Sequence, residues 1–242
     1  MRRLLVVGLT LLITSTVAAQ TEKRLNQILS GYVKNGRVDY QSLRAHGRPE
    51  LQGFVNSLSQ VNPEELDRME RIAFWLDAYN ALVVHQIVER NTDVSSARKR
   101  SKFFRGRRYN VGGKSLTLDD IEHRALRPLA QDPRVHFVLV CGAQSCPPLR
   151  AESFLATDDL DGTLEQATRT YINNPKNVKV DLKNRRLTLN KIFDWYKEDF
   201  GNVVDFVSRY RPPGERAALR DGEWEVTYFD YDWTLNQSSS TP

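Results

Sequence analysis

The sequence predicts a single, mainly helical α+β domain with a central buried helix and a small sheet built from a buried strand and hairpins. Three observations carry this. From Ile72 to Val88 only Asp77, Asn80, His85 and Gln86 are strongly polar, so a helix there is apolar nearly all round and belongs in the interior. The run RVHFVLVC, bounded by Asp132 and Pro133 upstream and Gly142 downstream, reads as a buried strand. Turn residues between β-prone stretches recur in KNGRVDY, RRYNVGGKSLTL and VKVDLKNRRLTL, the pattern of hairpins.

The elements follow in order. Residues 1–19, MRRLLVVGLTLLITSTVAA, place Arg2 and Arg3 before an apolar run and small residues, with Val17 and Ala19 set for cleavage. This is a removable secretory signal, its apolar run too short to span a bilayer comfortably. The domain is then expected over 20–236 and a disordered tail over 237–242. Glu22 to Val33 and Pro49 to Leu58 have helical spacing. Asn62 and Pro63 open the long helix, with Glu64 and Glu65 complementing its dipole, and it runs to about Arg90. A basic loop, RKRSKFFRGRR, precedes a hairpin turning at Gly112 and Gly113. Thr117 and Asp120 form a capping-box start for LDDIEHRALR, which ends or kinks near Pro128. Helices are expected over Leu160 to Asn173, Lys191 to Phe200 and Val203 to Arg211, and EVTYFDYDW is a terminal strand candidate.

Composition narrows the function classes. With 242 residues, 40% hydrophobic and 27% charged, the chain has enough apolar material for one core, and disorder and disulfide-dense scaffolds are excluded. The formal net charge of +5 includes Arg2 and Arg3. The run from Arg98 to Arg108 holds seven basic residues and no acidic one, so the basic character is one local patch. Arg105, Arg107 and Arg108 are candidate contacts to an anionic surface or envelope polymer, and a solvated face is the plainer alternative. No nucleic-acid motif, Gly-rich phosphate loop, G-x-S-x-G elbow or zinc spacing is present. Neither nucleic acid, cofactor nor metal is therefore expected as a partner, and no membrane span in the mature chain.

The chemistry concentrates in a few residues. Both cysteines lie in VCGAQSCPP, as Cys141 and Cys146. They fit a disulfide closed by a turn at Gly142, a reactive Cys141 with Cys146 as second thiol, or two inert buried thiols. Gln144 and Ser145 between them are candidate pocket residues. On a helical wheel starting at Leu118, Glu122 falls at about 40°, inside the apolar stripe, and His123 at about 140°, on its edge. Glu122 is thus half of a buried ion pair or a site carboxylate, and His123 is a candidate base four residues after Asp119. Asp77 and Asn80 form a polar stripe on the long helix, either tying helix to loop or facing a substrate. Asn80 is also a candidate third member of a Cys-His-Asn set. Strand alternation puts His136 on the face opposite Cys141, as a packing residue. Trp195, Tyr196 and Trp233 either line a sugar or peptide groove or close a core.

Four segments, AFWLDAYNALVVHQIV, LTLDDIEHRALRPLAQDPRVHFVLVCGAQSCPPL, TYINNP and IFDWYKEDFG, followed by YDWTLN, together resemble the DUF547 family of uncharacterised proteins, in order from about residue 30 to 236. The resemblance implies one secreted domain of bacterial type and assigns no catalytic residues. The residues themselves suggest a periplasmic or secreted cysteine-dependent hydrolase or transferase acting on an amide or ester of envelope material. In it Cys141 is the nucleophile, His123 the base, and Glu122 or Asn80 the orienting group. The alternative is a non-catalytic envelope binding module that uses the basic loop and a Cys141–Cys146 disulfide.

Overall fold

The computed structural model describes residues 19–92, 94–95 and 97–238. The expected signal segment, apart from Ala19, lies outside them. Helix α1 covers residues 19–32 and leads into the hairpin β1 (Val33–Lys34) and β2 (Arg37–Val38). Asn35 and Gly36 both take positive φ at its turn, as an Asn-Gly hairpin requires. Helix α2 (Arg48–Ser57) follows.

Asn62 caps only a 3-10 turn, Pro63–Glu65. The long helix, α3 (Arg68–Arg90), starts afresh at Asp67, whose side chain accepts from the Met69 and Glu70 amides while Glu70 reaches back in a capping box. Every residue from Ile72 to Val88 is buried, so α3 is the central helix its composition predicted.

The basic run is not a loop. Its first part is helix α4 (Ala97–Arg105), which buries Phe103 and sets it edge-on to Phe104. The Phe103 carbonyl accepts from the Gln86 amide of α3 at 2.7 Å. The hairpin β3 (Tyr109–Val111) and β4 (Lys114–Leu116) turns at the two expected glycines. The capping box at Thr117 and Asp120 opens α5 (Leu118–Asp120). The chain then widens into a π-helical stretch, Ile121–Leu126, before α6 (Arg127–Ala130).

The buried strand is absent. Asp132 accepts from the Arg134 amide and Pro133 starts a 3-10 turn, Pro133–Phe137. The following residues are held by Asn80, whose amide donates to the Val138 carbonyl and accepts from the Val140 amide, both at 2.9 Å. One side chain of α3 therefore satisfies backbone groups that a neighbouring strand would otherwise satisfy.

Helix α7 (Leu160–Ile172) leads to a three-stranded sheet, in which β5 (Val178–Asp181) pairs antiparallel with β6 (Arg186–Leu189). Between β6 and its parallel neighbour β7 (Glu225–Tyr228) run α8 (Ile192–Trp195), α9 (Lys197–Phe200), α10 (Val203–Ser208) and α11 (Pro213–Arg220). The last of these was not legible in the sequence. The start of the expected tail is ordered: Ser238 donates to the Val38 carbonyl at 2.9 Å, and Gln237 bridges to Val38. Among the described residues no helix is long and apolar enough to cross a membrane.

Candidate functional site

A cleft of about 340 Å³ opens where these segments meet. The π-helical stretch supplies Glu122 and His123, and the loop after Val140 supplies Cys141 and Cys146. The end of α8 and the residue after it give Trp195 and Tyr196, the C-terminal segment gives Tyr231 and Trp233, and α4 gives Arg100 and Arg105. Cys141, Cys146, His123, Glu122 and Arg105 thus come to one place from three distant segments.

Glu122 is buried, as its place on the wheel required, but among the described residues it is not half of an ion pair with an arginine or lysine. Its carboxylate accepts from the Tyr196 hydroxyl at 2.6 Å and the Tyr79 hydroxyl at 3.0 Å. Burial, together with this carboxylate, raises both phenols well above their ordinary range, so both remain donors.

His123 is fixed differently. An Arg127 guanidinium nitrogen lies 2.6 Å from its Nδ1, and because guanidinium can only donate, Nδ1 is the acceptor. The ring proton of the neutral form is therefore on Nε2, which lies 3.8 Å from Asp119 and 3.9 Å from Glu122. In this arrangement His123 offers the cleft a donor, and Nε2 can take a proton only after Arg127 releases Nδ1.

Arg127 also binds Asp199 through two nitrogens, at 2.8 and 2.9 Å. Burial alone would raise the Asp199 carboxyl, but hydrogen bonds from Arg127 and His136 outweigh it and hold the carboxyl below its usual range. His136 meets Asp199 at 2.6 Å through Nε2 and stacks on Tyr196 at 3.9 Å between ring centroids. Burial lowers its pKa against the pull of Asp199. With no strand to impose alternation, His136 lines the same cleft as Cys141.

The sulfurs of Cys141 and Cys146 are at bonding distance, with Cα atoms 6.0 Å apart, a separation ordinary for a disulfide. The turn between them depends on Gly142, at φ +83°, where a Cβ would sit 2.7 Å from Ile87. The Tyr231 hydroxyl stands 3.4 Å from Cys141 Sγ and 3.2 Å from Cys146 Sγ. Among the described residues no group of three or more His, Cys, Asp or Glu side chains is placed to hold a metal ion.

Other candidates lie elsewhere. Asn80 is occupied with the 138–140 backbone and orients no histidine. Asp77 accepts from the Ser153 hydroxyl and the amides of Phe154 and Leu155, at 2.8 and 3.0 Å for the amides. It ties helix to loop outside this cleft. Gln144 and Ser145 pair with the C-terminal segment: the Gln144 amide donates to Thr234, and the Asp232 amide donates to the Ser145 hydroxyl. Arg107 lies over the Tyr109 ring, and Arg108 pairs with Asp120 at 3.4 Å. Tyr79, Tyr231, His136 and Asp199 were missed. Asp132-Pro133 could have signalled the turn that aims His136, while nothing local marks the other three.

Residues 63–172 match the family described as Protein of unknown function, DUF547, a narrower stretch than the motifs suggested. No curated protein and no solved structure matches the chain. The matched stretch contains Tyr79, Glu122, His123, His136 and both cysteines; Trp195, Tyr196, Asp199, Tyr231 and Trp233, on the other side of the cleft, fall after it. That match supports the resemblance to the DUF547 family over residues 63–172.

Proposed function

We propose that the chain is an exported envelope protein that binds its ligand in this cleft with Cys141 and Cys146 joined, as a non-catalytic module. The observation that carries this reading is the pair of sulfurs at bonding distance in the cleft wall. In that form the wall has no thiolate to attack a substrate. His123 adds to it, since its Nδ1 is taken by Arg127 and its Nε2 is the donor. Export rests on the leader pattern of residues 1–19. Arg105, Arg107 and Arg108 supply the second contact of this reading, towards an anionic surface. Thiol counting on chain isolated without reductant tests it: neither cysteine should react with a small alkylating agent, even after unfolding. A Cys141 that alkylates in the folded chain overturns it.

A second reading is favoured by the convergence of Cys141, His123 and Glu122 on one cleft. Here the chain is a cysteine-dependent hydrolase or transferase for an amide or ester of envelope material. It needs a dithiol to deliver two electrons and two protons to the sulfur pair, and a shift of the His123 proton before Nε2 can act as base. Cleavage of envelope peptide that appears only with dithiothreitol and vanishes in Cys141→Ser would establish it over the first reading.

A further inference from the structure

Trp195 is 47% exposed and is the large exposed hydrophobic residue that lines the cleft. It stands in a group of three aromatic rings. Trp195 and Trp233 are stacked at 5.4 Å with 29° between planes, and Tyr231 lies 4.7 Å from Trp195 and 4.5 Å from Trp233. The Arg100 guanidinium sits 3.8 Å over the Trp233 ring and is held there by the carbonyls of Val94 and Ser95. The aromatic shelf is therefore braced from α4, from α8 and from the C-terminal segment before any ligand arrives, which lowers the ordering cost of binding.

We infer that this shelf is the subsite for a saccharide ring, with the C–H face of the sugar on Trp195 and its oxygens turned towards the donors around it. The inference rests on the binding reading and names its ligand class. Two features select this chemistry. The shelf offers an apolar face of indole size, and the same cleft carries donors in Arg100, His123 Nε2 and the Tyr231 hydroxyl. A sugar ring matches both, with an apolar face and a rim of hydroxyl oxygens. An acyl chain or phenyl side chain would cover the indole but offer no oxygen to the His123 Nε2 donor beside it. The charges nearest the cleft are balanced, Arg100 and Arg105 against Asp119 and Glu122, and Arg105 is already paired with Asp119 at 3.0 Å. A neutral ring should therefore bind at least as well as an acidic one.

Calorimetric titration of the full chain with an N-acetylglucosamine oligomer, and in parallel with an oligogalacturonate, tests this. The expected result is saturable binding of the neutral oligomer, roughly tenfold weaker in Trp195→Ala and largely retained in Trp195→Phe, with the thermal melt unchanged in both. Affinity indifferent to Trp195→Ala, or binding confined to the acidic oligomer and abolished by salt, overturns the shelf as a saccharide subsite. So does failure of both oligomers to bind. None of these results depends on the cysteines, so the shelf can fail while thiol counting still supports a disulfide-bonded binding module, and the reverse.

Discussion

Asp77 and His85 lie on the same buried helix and respond to pH in opposite senses. Burial outweighs the hydrogen bonds from Ser153, Phe154 and Leu155 and pushes the Asp77 carboxyl up to about 6 from an ordinary 3.8. Between those values the folded chain holds a proton that the unfolded chain has released, so Asp77 makes the fold more stable as pH falls from 6 to 4, by ~3 kcal/mol in full. Burial lowers His85 from 6.5 to about 4, so there the unfolded chain takes the proton first, and stability is lost as pH falls across that window. Urea unfolding at pH 4, 5, 6 and 7 separates the two. Measured against the parent at each pH, Asp77→Asn should become relatively less stable on acidification and His85→Gln relatively more stable. A flat difference for Asp77→Asn would mean that its carboxyl titrates alike in folded and unfolded chains. The sequence showed that Asp77 breaks an apolar cylinder, but it could not show that the partner is Ser153, because no local pattern links residues so far apart.

At the scale of elements, what was legible was what local chemistry decides. Asn35-Gly36 and Gly112-Gly113 fixed two hairpins, Thr117 with Asp120 fixed a cap, and the apolar girdle of Ile72 to Val88 fixed the central helix. RVHFVLVC failed because a short continuous apolar run has no period of its own, and its backbone partner turned out to be the Asn80 side chain. Asn80→Leu should therefore leave the Val138 carbonyl and Val140 amide unpaired in the interior and cost about 2–5 kcal/mol, read as a lower urea midpoint. An unchanged midpoint would show that these groups find other partners. The basic run concealed a helix because its charges outnumber the apolar face that Phe103 anchors. Its ion pairs keep their arginines in solvent, Arg105 with Asp119 and Arg108 with the buried Asp120, which Thr117 and Arg124 also hold, and pairs with a solvated partner contribute little to stability. Replacing Arg105, Arg107 and Arg108 by Gln should scarcely move the melt while weakening retention on anionic vesicles at low salt. Retention equal to that of the parent would remove the run from the binding surface.

Across the whole molecule the buried apolar residues form two clusters, one around α3 and one around the three-stranded sheet with Phe137, Phe193 and Phe200, and Tyr231 packs against both. The cleft draws lining residues from each: Tyr79 and Val140 belong to the first, Ile192 and Tyr196 to the second. Its geometry therefore depends on what holds the clusters together, and the C-terminal segment does much of this. After β7 the chain passes Tyr231 and Trp233, donates the Asn236 amide to the Gly142 carbonyl at 3.0 Å, and accepts there from the Val38 amide at 3.2 Å. The Asn236 side chain, 1% exposed, accepts from the buried Tyr40 hydroxyl at 2.8 Å. The sequence ended the domain at residue 236 but could not show these partners, since Val38 and Tyr40 lie near the opposite end of the sequence. Ending the chain after Leu235 would strand the Tyr40 hydroxyl and free the Val38 amide, at about 1–3 kcal/mol for each group left buried and unpaired. The melting temperature should fall, and since Gly142 loses its tie next to the sulfur pair, ligand binding in the cleft should weaken with it. Ending after Ser238 leaves each of these bonds in place and should change neither quantity. Equal melts for the two truncations would show that the bonds of Asn236 are not what joins the two halves of the core.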